Sequence, residues 1–147
     1  MQRTVPIPSR HRVATAAIAL LVIVSGCGGG TGSGADKKAL TPIDAPAGDF
    51  VDRTGTDTVD ISVKDNEFTP HYLMITAGTK VIWTVVGANV HNVSPVDNGS
   101  FTANREMGHG AMHTVTFKNV GDYAYFCSFH GTKKSGQRGG IRVVAKK

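Results

Sequence analysis

Hydrophobic and polar residues follow a period of two in several short runs, among them Val59-Asp-Ile-Ser-Val63, Val81-Ile-Trp-Thr-Val85 and Thr114-Val-Thr-Phe117. Successive side chains of a strand point to opposite faces, so each run predicts a strand with one buried side. No stretch keeps the three-to-four spacing of an amphipathic helix for a useful length. Turn signals at Ala77-Gly78, Asn98-Gly99, Gly108, Gly110 and Gly121-Asp122 punctuate the runs. Together they predict strands at about 58–64, 71–76, 79–86, 90–94, 113–118, 122–127 and 140–145. Short strands at this spacing, with no helical connections, indicate an all-β fold, an antiparallel Greek-key β-sandwich. Trp83, Phe68, Phe117 and Tyr123 are its candidate core residues. The roughly ninety residues from Thr56 onward suffice for one small domain.

The chain ahead of that domain reads differently. Arg3, Arg10 and Arg12 precede an apolar run from Val13 to Val24, shorter than the about 20 residues of a comfortable membrane span. Val24-Ser-Gly-Cys27 follows and resembles a bacterial lipobox, so residues 1–26 are expected to be a lipoprotein signal peptide, with Cys27 taking the lipid. A plain secretory signal and an uncleaved anchor are the alternatives. Residues 27–55 read as the lipidated cysteine and a flexible linker, Gly/Ser-rich from Gly28 to Gly34 and then carrying Pro42 and Pro46. Within it, Phe50-Val51 leaves room for an edge strand somewhere in 43–51. The expected location is outside the cytoplasm, on the outer face of the cell membrane, at the cell surface or in the periplasm.

Removing the leader changes the charge picture. The formal charge of +5 includes three leader arginines, leaving +2 (5 − 3) for the remainder. Bulk charge therefore gives no support to nucleic-acid binding. The cysteine count changes too. With Cys27 lipidated, Cys127 is the one remaining thiol and has no intramolecular disulfide partner. In an oxidising compartment a metal is one way to occupy it; an inert buried cysteine is the other.

The surroundings of Cys127 favour the metal. Tyr125-Phe-Cys127-Ser-Phe-His130 places a cysteine and a histidine three residues apart where an apolar strand ends, and Val90-His91-Asn92-Val93 offers a second imidazole. One thiolate and two imidazoles, with a weak fourth ligand, make the donor set of blue-copper electron-transfer sites.

Further elements occur in order along the domain: Asn66-Glu-Phe68 with Pro70, Ile75-Thr-Ala-Gly78-Thr-Lys-Val81-Ile-Trp83, Gly121-Asp-Tyr123, and Gly139-Gly-Ile141-Arg-Val143. With the histidine and cysteine motifs, they make 56–147 resemble a cupredoxin of the plastocyanin group. The resemblance implies one type 1 copper ion held by His91, Cys127 and His130, and a hydrogen bond from Asn92 to the cysteine loop, with Ser128 as partner. It also implies a carrier of single electrons between redox proteins; a monomer is expected, and not an enzyme, since the sequence offers no second copper domain and no nucleophile with a base. A copper chaperone or storage module is the alternative.

One element departs from the family. The methionine usual five residues after the second histidine is replaced by Ser135. Counting back instead from the glycine that opens the final strand gives Gln137 as the axial residue, in a loop two residues longer than usual. An amide oxygen is acceptable to copper and favours Cu(II), which implies a lower potential than a thioether would give. A solvent-facing Gln137, with three ligands or a backbone carbonyl at the metal, stays open. Lys133, Lys134 and Arg138 bracket this loop and would steer a partner acidic at its docking face, unless they are ordinary solvated side chains. Met107-Gly-His109-Gly-Ala-Met112-His113 raises a second copper site, against which Met112 and His113 should point to opposite faces. His71 is expected at the surface.

Overall fold

A computed structural model describes residues 40–147, in which every regular element except one 3-10 turn is a strand. The strands are β1 (Phe50–Asp52), β2 (Thr58–Lys64), β3 (Glu67–Thr69), β4 (Tyr72–Thr76), β5 (Lys80–Val85), β6 (His91–Pro95), β7 (Asn104–Met107), β8 (Met112–Thr116), β9 (Gly121–Gly131) and β10 (Gly136–Val144). They form a six-stranded sheet in the order β1-β4-β10-β9-β6-β7 and a four-stranded sheet in the order β3-β2-β5-β8.

The period-two runs behave as their pattern requires. In β2, Val59, Ile61 and Val63 are buried while Thr58, Asp60 and Lys64 are exposed, and β5 buries Val81, Trp83 and Val85. The inward faces meet in one core in which Phe68, Leu73, Ile75, Trp83, Tyr125 and Ile141 are buried. Trp83 lies at its centre, its ring 5.4 Å from Tyr125 edge-on and 6.3 Å from Phe117.

Both sheets are mixed, which corrects the purely antiparallel expectation. β2 pairs parallel with β5, β10 with β4, and β1 with β4. Alternation specifies which face of a strand is buried but not the direction of its neighbour. Because the chain crosses between the sheets, sequence neighbours are often not sheet neighbours.

The segment ahead of the domain also packs more than the linker reading allows. Phe50–Asp52 adds a parallel edge strand to β4, and Ile43 is buried with its N–H donated to Asp122. Thr41 donates from both backbone and hydroxyl to Asp97. Residues 40–52 thus form a strap along the six-stranded sheet, and a linker running to Gly55 is too long. Pairing with β4, burial of Ile43 and Phe50, and two carboxylates of the domain that accept the strap's donors hold it in place. The lipobox, Cys27 and the glycine-rich run lie outside the described residues.

Candidate metal centre

Period two brings Cys127 inward. On β9 the buried residues are Tyr123, Tyr125 and Cys127; on β10 they include Gln137, Gly139, Ile141 and Val143. The two strands pair regularly up to Phe126 with Arg138, and their next pair is Gly131 with Gly136. Four residues, Cys127 to His130, therefore face Gln137 alone. That excursion sets both the thiol and the second imidazole beside the glutamine. β6 runs antiparallel to β9, pairing Ser94 with Phe126, and so brings His91 level with the same excursion.

Glycine is required one step below the site. A Cβ on Gly139 would lie 2.5 Å from the Tyr125 ring and hydroxyl. Tyr125 fills that space itself, with Phe68 edge-on at 4.9 Å, and burial pushes the ionisation of its hydroxyl upward. The layer beneath the donor atoms is closed.

The donors converge. Cys127 Sγ lies 3.5 Å from His130 Nδ1 and 3.8 Å from His91 Nδ1, and the three ligand atoms all fall within 4.8 Å of one another. A first-row metal bound at about 2.0 Å to nitrogen and 2.3 Å to sulfur separates such donors by roughly 3.5–3.8 Å. The spacing fits.

Gln137 is 1% exposed, and its Oε1 lies 3.0 Å from His91 Nδ1. Its Nε2 donates to the carbonyls of Lys64 and Glu67 at 3.0 and 3.1 Å, which leaves the oxygen facing the donors. His91 Nε2 is 3.3 Å from Asp65 Oδ1. A carboxylate only accepts, so with the proton on Nε2 both His91 Nδ1 and Gln137 Oε1 present lone pairs to one space. A cation satisfies them together, and the residues fit copper.

Asn92 is bonded to the cysteine segment through both its backbone and its side chain. Its backbone N–H points at Cys127 Sγ at 3.5 Å, its Nδ2 donates to Ser128 Oγ at 2.7 Å, and its Oδ1 accepts from the Ser128 N–H at 2.8 Å. The two amide bonds fix the backbone just after the cysteine.

Asp65 had no signal in the sequence. It sits in the β2–β3 turn of the opposite sheet, where N–H donation from Asn89 and Ala88, and then the contact with His91, holds its carboxyl below the usual range. A turn-forming Asp-Asn pair advertises only a turn; its link to His91 arises when the sheets pack.

The expected polar loop after His130 is instead an extension of the β9–β10 hairpin, closed by Thr132 N–H to Ser135 O. Lys133 and Lys134 stand exposed at its tip, with Lys133 Nζ donating to Asn98 and Arg138 to the Lys134 carbonyl. Phe129, next to His130, is half exposed. The methionine and histidine cluster comes apart: Met107 is buried and Met112 exposed, His113 bonds to the Thr102 carbonyl against Trp83, and His109 bonds to the Gly87 carbonyl. His71 is exposed, as its position suggested.

Comparison with known proteins extends this geometry. Residues 56–143 match the family of copper binding proteins of the plastocyanin/azurin type. Among solved structures, an amicyanin from Paracoccus versutus is 26% identical, with a TM-score of 0.51 over 69% of this chain and 86% of that one. A purple cupredoxin from Nitrosopumilus maritimus is 24% identical, with a TM-score of 0.50 over 58% and 98%, a likeness of fold. A copper-containing nitrite reductase from Thermus scotoductus is 26% identical, with a TM-score of 0.53 over 60% of this chain, which spans 23% of the reductase. Among curated proteins, none matches this sequence.

Proposed function

The chain belongs to the plastocyanin/azurin family of copper-binding proteins, and from that premise we propose that it is an extracytoplasmic carrier of single electrons, tethered to a membrane through Cys27. Copper, when bound, supplies the one-electron Cu(I)/Cu(II) couple. The chain's own residues supply the rest. Cys127 offers a thiolate and a covalent electron route, and His91 and His130 offer imidazoles suited to both oxidation states.

The observation that carries the reading is the enclosure of these donors. His91, Cys127 and Gln137 are buried, and each is held by strand pairing or by hydrogen bonds before any metal arrives. Donors fixed in advance suit an ion that changes charge without changing shape. They suit a catalyst less well, since nothing in the donor set offers a substrate an open approach. Gln137 Oε1 is the proposed axial ligand. As a harder donor than a thioether it favours Cu(II) and lowers the potential.

The partners proposed are redox proteins, met by a monomer. Half-exposed Phe129 beside His130 provides an apolar contact, and Lys133, Lys134 and Arg138 favour a partner that is acidic at its docking face. The rival, a copper chaperone or storage protein, draws on the methionine and histidine cluster, whose members point apart.

The visible spectrum of the copper-loaded protein, before and after ascorbate, tests the reading. An intense thiolate-to-copper band that bleaches on reduction and returns on oxidation supports the carrier. Copper uptake without that band supports the rival. Gln137→Met is expected to raise the potential; an unchanged potential would remove Gln137 from the ligand set.

A further inference from the structure

The β2–β3 turn, Lys64-Asp65-Asn66-Glu67, supplies no candidate ligand and belongs to the sheet that carries none. Three of its groups nevertheless reach the metal centre. Asp65 Oδ1 meets His91 Nε2 at 3.3 Å, and the carbonyls of Lys64 and Glu67 accept both hydrogens of the Gln137 amide. We infer that this turn positions the copper site, with Asp65 holding His91 so that Nδ1 faces inward and the two carbonyls holding Gln137 so that Oε1 faces inward. The inference rests on the copper reading above.

Each half follows from what the groups can do. An imidazole has two nitrogens able to bind metal, and a carboxylate beside one of them keeps the proton there and the lone pair on the other. An amide can flip by half a turn, but a flipped Gln137 would set its oxygen against two carbonyl oxygens. Neither side chain has to be sorted by the metal.

The turn is itself held. Asn89 and Ala88 donate backbone N–H groups to the Asp65 carboxylate at 3.0 and 3.3 Å. That approach needs glycine at position 87, since a Cβ there would sit 2.3 Å from Asp65 Oδ1. Asn66 turns the chain at φ 67°, in the left-handed region that asparagine tolerates better than most residues. The carboxylate is anchored from behind and does not follow His91.

The test uses the full chain loaded with copper(II), as wild type, Asp65→Asn and Asp65→Ala. Asp65→Asn keeps an acceptor for the Asn89 N–H but removes the charge. At a fixed applied potential its Cu(I)/Cu(II) ratio is expected to rise about tenfold, an upward shift of about 59 mV. Asp65→Ala is expected to weaken copper binding by about 10–100-fold. Nuclear magnetic resonance of the Cu(I) form should show a solvent-protected His91 Nε2–H and protected Gln137 amide protons in the wild type. The His91 proton should exchange rapidly in Asp65→Ala. A merely structural role would lower the unfolding midpoint and leave the potential and the His91 proton unmoved.

If Asp65→Ala does not fold, the potential of Asp65→Asn decides. A wild type that binds copper without the thiolate band overturns the type 1 copper reading on which the inference rests. A wild type with the band, and variants matching it in potential, affinity and proton protection, overturns the positioning role. Rapid exchange of the wild-type Gln137 amide overturns the second half.

Discussion

The two sheets divide the work of the centre unequally. His91, Cys127, His130 and Gln137 all stand on strands of the six-stranded sheet. The four-stranded sheet contributes Trp83 to the core, and the Lys64–Glu67 turn that meets His91 and Gln137 from behind. One sheet brings the donor atoms and the other turns them. A site divided in this way is complete only when the sandwich closes, so its geometry reports on the packing of the whole domain.

That division can be broken from either side. The largest effect should come from the six-stranded sheet: Cys127→Ser replaces the thiolate with a hydroxyl and should abolish the thiolate-to-copper band outright, as read by visible absorption. Next, from the opposite sheet, Trp83→Ala leaves a large core void and should cost about 3–5 kcal/mol of stability by denaturant titration. Protein that remains folded should keep the band, because the rings packed against Trp83 are those of Phe101, His113, Phe117 and Tyr125, none a candidate ligand. If the band vanishes in folded protein, the sheets do not divide their roles as described.

A smaller effect sharpens the same point within the ligand-bearing sheet. Asn92→Ala removes both hydrogen bonds to Ser128 and should cost about 1–3 kcal/mol, with faster copper release to a chelator. The smallest effect lies far from copper. Asp122 accepts from Arg142 and from the strap at Ile43, and the Arg142 guanidinium holds its carboxyl below the usual carboxylate range. A depressed carboxylate contributes stability fully above its unfolded pKa and loses it as pH falls through the folded one. Acidification below about pH 4 should therefore loosen the strap. Proteolysis within residues 40–52 should rise there in the wild type, whereas Asp122→Asn should already be susceptible at neutral pH.

Much of the centre was legible because its chemistry is local. Cys127 and His130 are three residues apart, and the parity of Tyr123, Tyr125 and Cys127 already sends the thiol inward. His91 and Asn92 carried their own motif. Gln137 emerged from the glycine register and shares inward parity with Ile141 and Val143. The rest depended on contacts between distant segments. Nothing near Asp65 announces a histidine 26 residues away on the other sheet. β3 and β7 are too short for periodicity to register, and parallel pairing of β2 with β5 leaves no mark on alternation. The strap carries no sustained alternation, and it is held by pairing with β4 and by Asp97 and Asp122, carboxylates that look like ordinary surface charge.

The strap also governs distance. In the anchoring proposed above, the reach of the domain from its lipid is counted from Cys27 to the first latched residue. Leu40 lies thirteen residues after Cys27, a leash of at most about 45 Å when fully extended. A linker free to Gly55 would have allowed about 95 Å. With Cys27 as the anchor, the whole strap, held by pairing with β4 and by the two aspartates, would halve the radius within which the domain can search for a partner, and a partner standing farther from the membrane would be reached only when the strap lets go.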